Sequence, residues 1–147
     1  MLAAATTAAG AAPPHYPQVV AVNGKPTPAE SAAIERVLGA SFGREWSDYE
    51  RSAHHPVTVS VGHADLNGDG RADLIVLLTD YQFGYCGSGG CSGYALIATP
   101  AGYAPKPVEL ANFQETLAVL PAVHRGMHDV RYDDAHVVFK WSGRDYK

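Results

Sequence analysis

Asp65-Leu66-Asn67-Gly68-Asp69-Gly70-Arg71-Ala72-Asp73 sets oxygen-bearing side chains at alternate positions along a glycine-containing turn. Calcium takes six to eight oxygen ligands at about 2.3–2.6 Å in flexible geometry. Asp65, Asn67 and Asp69 can converge on one point if the chain turns around it, and Gly70 permits the sharp turn. The backbone carbonyl of Arg71 adds a ligand, and Asp73 closes the cage directly or through water. Leu66 and Leu74 flank the loop and can anchor it in a core. The same residue types also suit a metal-free turn. Three carboxylates gathered in one turn repel each other, however, and a turn alone has no reason to carry that cost.

The spacing follows the first nine positions of an EF-hand loop, but the twelfth is Val76 where that motif has a bidentate Glu. The residues that follow read as strand, so the expectation is a strand-flanked Ca2+ loop. Without the bidentate Glu, affinity falls toward Kd values on the order of 10⁻⁴–10⁻³ M.

A second feature is Cys86-Gly-Ser-Gly-Gly-Cys91, whose linker is flexible enough to bring two sulfurs to bonding distance. The expected disulfide belongs to an oxidising compartment. Around it stand Tyr81, Phe83, Tyr85 and Tyr94, with Ser88 at the centre of the loop. Aromatics beside a pinned loop form a candidate partner-binding surface, although a strand must also bury one face, so recognition and a purely structural role are both open.

Other constellations are weaker. His124 and His128 have the spacing of a helical zinc pair, but Gly126 and the surrounding strand pattern argue against a helix there. His54 and His55 precede Pro56 and read as exposed loop residues, and His63 could pack beside the ion loop. Ser88 lacks the Gly-x-Ser-x-Gly spacing of a nucleophile elbow, since Cys86 stands two positions before it. Asp133-Asp134 is more simply a turn.

The chain that must position these residues has 147 of them, 46% apolar and 18% charged, with a formal net charge of −4. That composition suits a single globular domain, and the absence of a basic patch argues against nucleic acid. No segment reaches the ~18 apolar residues of a membrane span. Residues 1–14, almost all Ala and Thr and without Lys or Arg, read as a leader remnant or a disordered tail, and residues 15–147 as one α+β domain.

Pro17, Pro26 and Pro28 mark an extended or irregular opening. Thr27-Pro28-Ala29-Glu30 then starts a helix, with Thr as N-cap, Pro at the first position and Glu at the third. Ala33, Ile34, Val37 and Leu38 recur at helical spacing, and the end falls between Gly39 and Gly43. Glu45 to His55 can hold a second short helical turn. Val57, Val59 and Val61 alternate as in a half-buried strand, while Leu74 to Leu78 suits a central strand covered on both faces. Further strands are expected at Tyr94–Thr99, Leu117–Leu120, Val130–Tyr132 and His136–Trp141, with turns at Ala101-Gly102 and Asp133-Asp134. The predicted architecture is α+β: one N-terminal helix packed on a mainly antiparallel sheet of five to six strands.

The Asp-Leu-Asn-Gly-Asp-Gly-x-x-Asp-Leu segment resembles the calcium loops of FG-GAP and integrin-like repeats. The stretch His63 to Ile97, with its apolar strand and Cys-Gly-Ser-Gly-Gly-Cys loop, is similar to a family of small bacterial exported proteins, as are Gly126 to Val130 and Val137 to Tyr146. The resemblance covers about half the chain. It implies a periplasmic or secreted location and a disulfide, and carries no activity with it. The functional expectation is an exported, calcium-binding, non-enzymatic protein-binding domain, for instance an inhibitor or immunity protein of the bacterial envelope. Some lysozyme inhibitors carry a Ser-Gly-x-x-Tyr loop, which neither Ser88-Gly89-Gly90-Cys91-Ser92 nor Ser92-Gly93-Tyr94 completes. The alternatives are a small calcium-dependent hydrolase and a purely structural envelope protein.

Overall fold

The structure, a computed structural model, describes residues 14–147. The leader or tail reading of the N-terminus falls, but for Pro14, outside the described residues. The elements in chain order are β1 (Gln18–Ala21), α1 (Pro28–Phe42), α2 (Arg44–Ala53), β2 (Ser60–Ala64), β3 (Asp73–Leu77), β4 (Cys86–Gly87), β5 (Gly90–Cys91), β6 (Gly93–Leu96), β7 (Ala98–Thr99), β8 (Gly102–Tyr103), β9 (Val108–Glu109), β10 (Thr116–His124) and β11 (Met127–Tyr132).

The start of α1 follows from its first four residues. Thr27 Oγ1 accepts the Glu30 amide at 3.1 Å, and Glu30 Oε1 accepts the Thr27 amide at 2.8 Å. Such a reciprocal cap contributes about 1 kcal/mol. The helix stops at Gly43, whose φ of 64° breaks the run, and α2 begins immediately beyond it. Ala33, Ile34, Val37 and Leu38 form the buried stripe of α1, and Trp46 is the one buried residue of α2.

Antiparallel pairing joins β2, β3, β6 and β9 into a four-stranded sheet, and β1, β10 and β11 into a three-stranded one. Every residue of β3 is buried. Leu74, Val76 and Leu78 point into one apolar cluster with Ile34, Leu38 and Trp46 of the helices. Ile75 and Leu77 point into another with Leu117, Val119, Val130 and Tyr132 of the three-stranded sheet. The result is three layers, helices, sheet and sheet, with β3 covered on both faces as its continuous apolar run requires.

The α+β class and the antiparallel pairing hold, but the arrangement differs from the predicted one. The first helix is preceded by β1, a second ten-residue helix follows it, and the strands divide between two sheets and two short ladders instead of forming a single sheet. Two local departures have visible causes. Val57 and Thr58 stay outside β2 because their amides are taken by side chains, Glu50 Oε2 at 2.9 Å and Asp80 Oδ2 at 3.1 Å. His136–Trp141 forms only isolated bridges, Val130 with Phe139 and Trp141 with Tyr146. It follows a turn at Asp133 (φ 50°) whose carboxylate instead caps the amides of Gln114, Glu115 and Thr116.

Candidate functional site

Asp65 to Ala72 is the connection between β2 and β3, closed at its neck by the pairing of Ala64 with Asp73. Each acceptor side chain in it is held by a backbone amide further along. Asp65 Oδ1 accepts from Gly68 at 2.9 Å and Oδ2 from Gly70 at 2.8 Å. Asn67 Oδ1 accepts from Asp69 at 3.3 Å, and Asp69 Oδ1 from Arg71 at 2.9 Å. Gly68 and Gly70 adopt φ of 72° and 83°, the left-handed conformation that lets the chain wrap around its own side chains. Leu66 is fully buried and plugs the loop into the core, while its carbonyl accepts the His128 amide at 2.8 Å.

Asp73 occupies a different position from the other acids. It is fully buried, and its two oxygens accept the amides of Leu66 and Ala98, each at 2.8 Å. Burial pushes its carboxyl up to about 6; the two amides pull the other way, and the charges of Asp65 and Asp69 push it up further. Asp73 therefore clamps the loop neck to the segment after β6. Among the described residues, the one cation that pairs with the loop acids is Arg71, 3.3 Å from Asp69 Oδ2.

Among the described residues, no group of three or more His, Cys, Asp or Glu side chains is gathered closely enough to hold a metal ion. The donors this loop offers are of another composition: two surface carboxylates, the Asn67 amide oxygen and the Arg71 carbonyl. Every carboxylate oxygen that accepts one amide keeps a second lone pair. An all-oxygen, net-negative set of this kind fits a hard cation such as calcium and not a thiolate- or imidazole-seeking metal.

The neighbouring histidines take other partners. His128 Nδ1 donates to the Leu120 carbonyl at 2.7 Å, which leaves Nε2 as acceptor toward the Tyr16 hydroxyl at 3.4 Å; the two rings stack at 4.9 Å. A Cβ on Gly68 would lie 3.6 Å from that Nε2, so His128 packs beneath the loop. His63 lies instead against Glu30, 2.5 Å from its carboxylate.

Cys86 and Cys91 are joined by a disulfide across the β4–β5 ladder, with Cα atoms 4.0 Å apart. Phe113 staples this loop to the body: its amide and carbonyl pair with those of Cys91 at 3.1 and 3.0 Å. Gly90 is indispensable here, with φ of 104° and a would-be Cβ only 2.1 Å from the Phe113 carbonyl oxygen.

The aromatic set divides. Tyr81 is 80% exposed and Ser88 is exposed at the tip of the disulfide loop, whereas Phe83 is buried in the helix-side core and offers no face to a partner. Phe42 gathers the rest, with Phe83, Tyr85 and Tyr94 at 5.6, 5.3 and 5.7 Å, all edge-on. Tyr85 donates its hydroxyl to Glu45, which with burial lifts the phenol to about 12. Tyr94 is half-buried and walls a cleft of about 540 Å³ with Ala40, Pro105, Lys106 and Pro107.

Two pairings were not legible beforehand. His124 Nδ1 meets the buried Asp129 carboxylate at 2.6 Å across the β10–β11 hairpin. Glu35 of α1 accepts the indole N–H of Trp46 of α2 at 2.9 Å. Trp46 is a signal available in the sequence, but its partner on α1 emerges only from packing.

No protein-family model, curated protein or solved structure matches this chain.

Proposed function

We propose that this chain is an exported, calcium-binding, non-enzymatic recognition domain. In this reading calcium fixes the 65–73 loop, and the surface around Tyr81, Ser88 and Tyr94 meets a protein partner. The observation that carries it is the set of Asx turns in which backbone amides orient Asp65, Asn67 and Asp69 around two left-handed glycines. A bound ion neutralises two carboxylates that otherwise raise the proton affinity of Asp73. The Cys86–Cys91 disulfide supports an oxidising, periplasmic or secreted location. The exposure of Tyr81 and the cleft beside Tyr94 support recognition. An inhibitor or immunity protein against a cell-wall hydrolase is the form that best suits a small envelope domain.

Calorimetric titration of calcium into chelator-stripped protein tests the first part. One site with Kd on the order of 10⁻⁴–10⁻³ M is expected, and absence of heat overturns it. A muralytic assay tests the second: inhibition that is lost in Tyr81→Ala supports the reading, and no inhibition removes the hydrolase-inhibitor form. The second reading, a calcium-dependent hydrolase, is favoured by the His124–Asp129 pair, in which a buried carboxylate orients a half-exposed imidazole. Ester or phosphodiester hydrolysis abolished in His124→Ala would select it.

A further inference from the structure

Away from the 65–73 loop, α1 and the segment between α2 and β2 wall an open cleft of about 420 Å³. Pro26, Ile34 and Val59 contribute apolar walls, and Ser31, Glu35 and His55 contribute polar groups. A cleft of that volume suits a small organic molecule. Ser31 and Glu35 stand one turn apart on α1, so the hydroxyl and the carboxylate are neighbours on one helix face.

The charges around the cleft are of one sign. Glu35 lines it, with Oε2 accepting the indole N–H of buried Trp46 at 2.9 Å. Two further wall residues, Val57 and Thr58, have their amides held by carboxylates, Glu50 Oε2 of α2 at 2.9 Å and Asp80 Oδ2 beyond β3 at 3.1 Å. Tyr49 donates its hydroxyl to Asp80. His55 has Nδ1 2.7 Å from the Pro56 carbonyl, which makes Nδ1 the donor and leaves Nε2 of the neutral ring an acceptor. Among the described residues, no lysine or arginine lines the cleft, and none forms an ion pair with Glu35, Glu50 or Asp80. Burial lifts the Glu35 carboxyl from 4.5 to about 7, the response of a carboxylate without a compensating cation.

We propose that this cleft binds a small organic cation, a primary ammonium carried on a short apolar chain. The ammonium donates to Glu35 and to the adjacent Ser31 hydroxyl, and the chain lies against Pro26, Ile34 and Val59. An ammonium carries N–H donors and no acceptor, the complement of a cleft whose polar groups accept. It also supplies the counter-charge that the surrounding carboxylates lack, whereas an anionic ligand meets only repulsion there. The site is separate from the calcium loop and from the surface around Tyr81, and depends on neither.

The probe is n-pentylammonium, with n-pentanol and pentanoate as its uncharged and anionic counterparts. Each is titrated into Trp141→Phe protein, in which Trp46 is the sole tryptophan, and into wild type by calorimetry. Trp46 reports because its indole is bonded to the carboxylate that the ammonium engages. The titrations run at about pH 8, where Glu35 is ionised. The expected result is a saturable change in Trp46 emission with matching heat for pentylammonium, and no binding of comparable affinity for the other two. Glu35→Gln should weaken binding by about tenfold or more, the worth of one charge-assisted hydrogen bond. Ser31→Lys sets a tethered ammonium one turn from Glu35 and should abolish binding; it also carries the test should Glu35→Gln fail to fold. Absence of saturable pentylammonium binding, equal binding of pentanol, or an affinity unchanged by the substitutions overturns the proposal.

Discussion

Replacing Asp73 by Asn sets two comparable energies against each other. The Asp73 carboxylate accepts buried amides from Leu66 and Ala98, each at 2.8 Å. Asn has one acceptor oxygen, so one of these N–H groups faces an NH₂ and goes unpaired, at about 1–3 kcal/mol. The substitution also removes a charge that the fold disfavours. The distance from 3.8 to about 6 in the carboxyl's proton affinity corresponds, at 1.36 kcal/mol per unit, to about 3 kcal/mol. Because the folded-state value is raised, the wild type is spared this cost below 3.8 and carries it in full above about 6. In chelator, Asp73→Asn should therefore be less stable than wild type by about 1–3 kcal/mol near pH 4 and close to it, or slightly more stable, near pH 8. For a chain of this size 1 kcal/mol moves the midpoint by roughly 2–4 °C, so the gap between the two melting curves should close by several degrees. Circular dichroism across that pH range measures it. A gap that stays constant with pH would refute the account of Asp73 as a charge buried against its neighbours.

Asp69→Ala should abolish the calcium-dependent rise in thermal midpoint while leaving the midpoint in chelator nearly unchanged; equal loss in both conditions removes the ion from the argument. Reducing Cys86–Cys91 should loosen residues 81–94 and cost on the order of 2 kcal/mol, with amide exchange in β2, β3 and β10 preserved. Global unfolding on reduction contradicts this. Asp80→Ala should cost about 3 kcal/mol, since one carboxylate accepts the Tyr49 hydroxyl and the amides of Thr58 and Gln82. Burial opposes the charge of Asp80, but these donors hold its carboxyl below 3.8, so its contribution is present above that value and fades as pH falls through the lowered one. Gly90→Ala should destabilise by about 2 kcal/mol or more, because a Cβ meets the Phe113 carbonyl at 2.1 Å; a neutral effect in denaturant titration would contradict the staple.

What could be read beforehand was local. Thr27, Pro28 and Glu30 specify their cap through contacts a few residues apart, and the Leu74–Leu78 run announces a strand buried on both faces. The spacing from Cys86 to Cys91 likewise contains its own closure. What escaped depended on distant partners. β1 is short and half-exposed, with Val19 at 63%, and becomes a strand only through Leu117–Val119. Phe83 looked like a surface aromatic until the helices covered it with Phe42 and Trp46. In the loop, the alternation of oxygens revealed the turn, but the inward direction of Asp73 comes from its place in β3, in register with Ala64 of β2. The hydrogen bond from Trp46 to Glu35 required the packing angle between two helices, which no periodicity encodes.

The pairing of β1 with β10, Val19 opposite Ala118, sets an order of events for a chain made from its N-terminus. The helices and the four-stranded sheet draw on residues 28–109 and can assemble once that stretch is available. β1 must wait, a strand without its β10 hydrogen-bond partners, until β10 arrives about a hundred residues later. The three-stranded sheet closes last, and its late closure buries the far side of Ile75 and Leu77. Until then the growing chain displays a hydrophobic sheet face and a free strand edge together, the combination that chaperones bind and that aggregation exploits.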